Sequence, residues 1–167
     1  MTRMQRLLNN LFGHWFQLHR RFPPALLEEI TKAIAAGESA HRGEIRFAIE
    51  SRLTPWAVLE GLDAPTRARQ IFAQLGVWDT EHNSGVLFYV LMAEHRIEIV
   101  ADRGIAARVT VAEWEAICAK MRDCYAREQW REGSLEGIAA AHALLTLHFP
   151  SDGTENPDEL PDGPILL

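Results

Sequence analysis

Nine consecutive residues, Gly85-Val-Leu-Phe-Tyr-Val-Leu-Met-Ala93, are the longest apolar run in the chain. A helix that crosses a bilayer needs about 20 such residues, so this run is too short for one. It reads instead as a strand buried on both faces. Glu94-His95 follows as a turn, and Arg96-Ile-Glu-Ile-Val-Ala101 alternates as a second strand. So tight a link makes the two strands antiparallel. Upstream, residues 43–50 place Ile45, Phe47 and Ile49 on one face and Glu44, Arg46, Ala48 and Glu50 on the other, the period of a strand. Between them lie a short helical piece after Pro55 and a helix from an Asp63 N-cap through Ala68, Ile71, Phe72 and Leu75 to a Gly76 stop. A helical connection of this kind makes residues 43–50 parallel to the apolar run, by a right-handed crossover. The fold class is α/β.

Helical periodicity accounts for most of the remainder. Met4, Leu7, Leu8, Leu11, Phe12, Trp15 and Phe16 recur as one stripe, opposite Arg3, Arg6, Asn9, Asn10, His14 and Arg20. This predicts an amphipathic helix, with its apolar stripe as the packing face, ended by Phe22-Pro23-Pro24. A second helix runs through Leu26, Leu27, Ile30, Ala33 and Ile34 to Gly37, the expected stop. Thr110-Val-Ala-Glu113 is a capping box that opens a helix bearing Val111, Trp114, Ile117, Met121 and Tyr125. A last helix is expected from Ser134 to Phe149, ended by Pro150. Residues 151–167 carry no helical or strand period and are expected as an extended tail, with Leu160 and Ile165-Leu-Leu167 able to dock. The chain thus divides into an N-terminal helix (1–22), an α/β domain (23–150) and a C-terminal tail (151–167).

Charge follows the same division. Residues 1–21 hold Arg3, Arg6, Arg20 and Arg21 and no acid, a sum of +4, which leaves −10 for the rest of a chain with net charge −6. The tail contributes Asp152, Glu155, Asp158, Glu159 and Asp162 with no base. Nucleic acid is therefore an unexpected partner, since phosphate binding needs a basic face. No secretory signal or spanning segment is legible, so the sequence predicts a cytoplasmic protein, membrane-peripheral if the basic helix lies on a surface. Cys118 and Cys124 share one expected helix, where six residues rise about 9 Å, too far for a disulfide; both are expected as free thiols.

Familiar catalytic signatures are absent: no dinucleotide or nucleotide cradle, no nucleophile elbow and no paired-histidine zinc motif. His41, His82 and His95 fall in loops or turns without a second histidine at ligand spacing, and are expected to be solvated. Topology supplies a candidate. An antiparallel hairpin returns Asp102-Arg103-Gly104 to the side of Asp79, Glu81, His82 and Asn83. A parallel first strand brings Glu38, His41 and Glu44 to the same edge. Glu38, Glu44, Asp79, Glu81, Asn83 and Asp102 would then gather oxygen ligands of the kind a hard cation such as Ca²⁺ takes. Arg103 is the candidate anion contact. The alternative is that these residues are turn caps and ordinary edge polarity.

Four motifs resemble one family. Glu38-Ser-Ala-His-Arg-Gly-Glu44-Ile45 resembles the segment leading into its first strand, and Asn83-Ser-Gly-Val-Leu-Phe-Tyr-Val resembles its central strand. Glu98-Ile-Val-Ala-Asp102-Arg-Gly-Ile105 resembles its second hairpin strand, and His148-Phe-Pro150 with Glu159-Leu-Pro-Asp162 resembles the ending of a soluble bacterial branch. The family is that of TPM domains, and the likeness spans residues 24–162. It implies a Rossmann-like three-layer α/β/α sandwich with a mixed sheet. It also implies possible roles rather than one role, since relatives have been associated with divalent cations, membranes and acid phosphatase activity. Three readings follow: a non-catalytic binding or regulatory domain with a divalent cation at the acidic edge, a metal-assisted phosphatase, and a peripheral membrane or partner-docking protein acting through residues 1–21.

Overall fold

The computed structural model describes residues 1–11, 15–153 and 160–167, and the side chains of residues 17 onward within the second of these. Its centre is a four-stranded mixed sheet in the order β3-β2-β1-β4, built from β1 (Glu44–Glu50), β2 (Gly85–Leu91), β3 (Arg96–Ala101) and β4 (Ile165–Leu166). β1 pairs parallel with β2, in register from Glu44 opposite Gly85 to Glu50 opposite Leu91. β2 and β3 form the expected antiparallel hairpin. The apolar run stops being strand at Leu91; Met92–Glu94 form a 3-10 turn and His95 takes a left-handed conformation that reverses the chain. Both central strands are buried along their whole length, which is why β2 needs no polar alternation.

Helices cover both faces of the sheet. On one, Ile45, Phe47, Val86 and Phe88 pack against α3 (Pro24–Glu38), α7 (Val111–Ala126) and α8 (Trp130–His148), which contribute Ile30, Ile34, Trp114, Ile117, Met121, Ile138 and Leu145. On the other, Ala48, Leu87, Tyr89 and Leu91 pack against α4 (Pro55–Leu59) and α5 (Ala64–Gln74) through Val58, Ala68 and Ile71. The local signals read from sequence operate here: Asp63 caps α5 by accepting from Thr66 N, and Thr110 and Glu113 form a reciprocal capping box on α7. Cys118 and Cys124 are free and buried, and burial pushes the Cys118 thiol up to about 12.

Several boundaries differ from expectation. Gly37 does not stop α3, which continues to Glu38. Its missing side chain makes room for the His142 imidazole, which lies where a Cβ would be. The last helix begins at Trp130, not Ser134; the Ser134 hydroxyl is buried inside it, bonded to Trp130 O and Tyr125 Oη. Val111 points to solvent although it shares a helix with Trp114. The tail docks where the sequence allowed it to: Leu160 is buried, and Ile165–Leu166 add a parallel strand beside β1 that no strand period announced.

The largest departure is at the amino terminus, where the described residues form two helices, α1 (Arg3–Leu11) and α2 (Trp15–Arg21). α2 serves the core through Leu18, and Phe22 just beyond it meets Tyr125 and Trp130 edge to face. α1 is turned the other way. Its polar residue Asn10 is fully buried, whereas Met4, Leu8 and Leu11 of the stripe are exposed at 65%, 45% and 46%. The stripe positions Phe12, Trp15 and Phe16 lie outside the described side chains.

Candidate functional site

The hairpin brings Asp102 back beside the start of β2, where its amide donates to Gly85 O at 2.9 Å. Glu44 stands opposite Gly85 on the other side. Asp102, Gly85 and Glu44 therefore occupy neighbouring strands at the amino-terminal edge of β1 and β2, on one face of the sheet. Gly85 leaves that face open to the Val77 backbone, whose carbonyl sits where a Cβ would project. The two carboxylates flank this wedge.

Asp102 is 8% exposed. Its Oδ1 accepts from Arg103 N at 2.7 Å and caps the short helix α6 (Arg103–Ala106). Its Oδ2 is buried with no hydrogen-bond partner. The Arg103 guanidinium reaches back to Asn83 Oδ1 at 2.9 Å, and Gly104 N donates to Asn83 O at 3.1 Å. Asn83 holds a left-handed conformation, φ 51°, to present both oxygens to that turn. Thus Asp102, Asn83 and Arg103 are brought together, with Arg103 bound to its own chain's oxygens.

Glu38 and Glu44 lie farther along the same edge. Glu38 Oε1 accepts from Ile45 N at 2.9 Å. Burial, reinforced by the nearby charges of Glu44 and Asp162, raises the Glu38 carboxyl to about 9, so it carries its proton at neutral pH. Glu44 and Arg46 are buried on the face they share, and Arg46 Nη1 donates to Gly163 O at 3.3 Å. Asp79 and Glu81 are exposed on the loop before β2. Among the described residues, no three His, Cys, Asp or Glu side chains are gathered in the arrangement of a metal-ion site.

The same edge holds a histidine pair that sequence reasoning missed. His41, expected to be solvated, is fully buried and stacked on His142, with ring centroids 4.9 Å apart. Gly43 N donates to His41 Nδ1 at 3.1 Å, which assigns the His41 proton to Nε2. That proton faces His142 Nδ1 at 2.6 Å, and His142 Nε2 in turn faces Ala33 O at 3.1 Å. Two neutral rings satisfy this chain completely. Burial, and the neighbouring His142, lower the His41 pKa to about 4; burial also lowers that of His142. The partner ring is 101 residues away in the chain, beyond any local spacing rule. Beside this pair, Arg42, His82, Arg108, His148, Phe149 and Pro150 line an open cavity of about 320 Å³.

Comparison with known proteins places this architecture. The chain superposes on the NMR structure of the BA42 protein from the psychrophilic bacterium Bizionia argentinensis with a TM-score of 0.75 and 26% identity, over 86% of this chain and 93% of that one. A comparison with curated proteins finds no match. The family model for the TPM domain matches residues 21–144, from the end of α2 well into α8, and takes in the hairpin, Asp102 and the His41–His142 pair. With that match covering most of its length, and with the fold agreeing, the chain belongs to the TPM domain family.

Proposed function

We propose that this TPM domain is a non-catalytic binding module that takes a divalent cation at Asp102. The observation that carries the reading is the buried Asp102 Oδ2, which has no donor. Leaving a buried charged acceptor unsatisfied costs about 1–3 kcal/mol or more, and a hard cation is one group that relieves it. The remaining ligands would be amide or backbone oxygens near Asn83, carboxylates of Asp79 or Glu81 from the exposed loop, and water. Glu38 and Glu44 would act at longer range, Glu38 only after losing its proton. A site so composed belongs with weak, regulatory calcium sites rather than tight structural ones.

Calorimetric titration with Ca²⁺, paired with melting curves, tests the reading. Wild type should bind and melt at higher temperature with calcium, and Asp102→Asn should keep the fold but lose most of that gain. Absence of both heat and shift in wild type defeats it. An aryl phosphate assay with and without metal addresses metal-assisted hydrolysis: turnover abolished by Asp102→Asn would convert the binding site into a catalytic one.

A second reading rests on α1. Met4, Leu8 and Leu11 are exposed on it and Met1 just before it, and Trp56 and Leu59 are exposed at 69% and 43% on α4, which packs against α1. Arg3 is exposed on the same helix. An apolar helix face with an exposed tryptophan and cationic neighbours suits the interface of an anionic bilayer. No helix among the described residues is long and apolar enough to cross one. Cosedimentation with anionic vesicles should be lost in Met4→Ser/Leu8→Ser, whose inward-facing Arg6 and Asn10 are untouched; equal binding by the variant removes this reading.

A further inference from the structure

We infer that the cleft between the Arg42 loop and the end of α8 is an oxyanion-binding site, whose Arg42 is engaged in the free protein by the carboxylate of Asp152. Its frame is rigid. His41 bridges Pro150 in antiparallel fashion, Arg42 N donates to Phe149 O at 3.0 Å, and Ser151 N donates to Ala40 O at 3.1 Å. These bonds clamp the segment after α8 against the loop before β1. The cavity they leave, about 320 Å³, is of the size that small ligands occupy.

Its lining holds two arginines in a protein of net charge −6: Arg42 and Arg108, beside His82 and His148, over an apolar floor of Phe149 and Pro150, with no acid among the lining residues. Arg108 is held in place by a bond from Nη1 to His148 O at 2.6 Å and by stacking 4.7 Å from the centroid of the Phe149 ring. A guanidinium fixed through one nitrogen still presents the rest of its fork. Arg42 Nε and His148 Nε2 are both buried without a hydrogen-bond partner. Buried polar nitrogens are seldom left so, and an acceptor-only anion is the ligand that completes them.

Asp152 shows what Arg42 accepts. Its Oδ2 meets Arg42 Nη2 at 2.7 Å, and its side chain remains 42% exposed, so it can swing away without uncovering a core. A phosphoryl or carboxylate group from outside would take the same fork. The tail residue is then a built-in competitor, and the site is independent of any cation at Asp102.

The test is an NMR titration of the full-length isotope-labelled protein in excess EDTA, which removes any cation bridge, at ionic strength held constant with chloride. Inorganic phosphate and acetate are the two probes. Saturable shifts at Arg42, Arg108 and Phe149 are expected, with Asp152→Asn binding at least threefold tighter and Arg108→Gln at least tenfold weaker. Preference for phosphate assigns a phosphoryl site; equal response to acetate assigns a general carboxylate site. The proposal is overturned if neither probe gives saturable shifts in wild type or Asp152→Asn, or if Arg108→Gln binds like wild type. Phosphate binding of equal strength in wild type and Asp152→Asn removes Asp152 as the resident occupant.

Discussion

The two ends of the β1–β2 pair treat their buried charges differently. At the carboxyl end, Glu50 takes a two-point contact from Arg67, Nε to Oε2 and Nη2 to Oε1, both at 2.9 Å, and a bond from Tyr89 Oη at 2.5 Å. Beside it, Glu94 takes Arg6 Nε at 2.9 Å and Asn10 Nδ2 at 3.0 Å, while Asn10 Oδ1 accepts from Leu53 N at 2.7 Å. At the amino end, Asp102 Oδ2, Arg42 Nε and His148 Nε2 are buried without partners. Parallel α/β sheets ordinarily bind ligands beyond the carboxyl ends of their strands. Here α1 inserts Arg6 and Asn10 at that end, so the chain supplies its own ligands there. Asp102 Oδ2, Arg42 Nε and His148 Nε2 stay open at the other edge. This also explains the orientation of α1: with a buried carboxylate to satisfy, Arg6 and Asn10 turn inward, Leu7 packs beside them against the core, and Met4, Leu8 and Leu11 turn outward.

If the carboxyl end is self-satisfied, breaking it should be expensive. Glu50→Ala strands a guanidinium and a tyrosine hydroxyl in the interior, and the loss should be about 3–4 kcal/mol in a denaturant midpoint, the lower range for a buried pair because Arg67 retains some solvent. A loss under 1 kcal/mol would remove the contrast between the ends.

The amino end should show itself through pH. Burial lowers the pKa of both His41 and His142 below the ordinary 6.5, that of His41 to about 4, so the unfolded chain binds more protons as pH falls below 6.5. Their contribution is complete above 6.5 and is lost as pH falls, the share of His41, about 3 kcal/mol, between 6.5 and about 4. Glu38 acts in the opposite sense. With its folded carboxyl raised to about 9 from 4.5, the native state holds the extra proton and stability falls as pH rises between those values. Melting curves across pH should therefore peak near the overlap of the two windows. Glu38→Gln should flatten the alkaline limb and leave the acid limb intact.

Asn10→Ala comes next in size. It orphans Leu53 N and one contact of Glu94, for a loss of about 2 kcal/mol by chemical denaturation. Neutrality would mean that α1 is a passive appendage. The smallest effect separates the ends most sharply. Asp102→Asn in metal-free buffer keeps a good helix cap and puts an unpartnered amide NH2 where Oδ2 lacked a donor, one unsatisfied group for another, so stability should stay within about 0.5 kcal/mol of wild type. The equivalent change at the carboxyl end, Glu94→Gln, should cost clearly more in the same assay, since it weakens a bond to Arg6.

Much of the fold was open to reading from short stretches of chain. The 85–101 hairpin, the parallel pairing of β1 with β2, the Asp63 cap and the Thr110–Glu113 box each follow from periodicity or bonding within a few residues, and all are present. The return of Asp102 to Asn83 followed from hairpin geometry in the same way. Other features join segments that no local pattern connects. His41 meets a ring on α8, Arg42 and Arg108 share a cleft with His148, and the chain's last residues extend the sheet beside β1. Which segments become strand or helix was legible in the chain, because backbone hydrogen bonding and side-chain period act over three or four residues. Which face of α1 turns inward, and which buried polar groups find partners, was settled by packing. Those outcomes depend on what distant segments bring to the same few cubic ångströms once water is excluded.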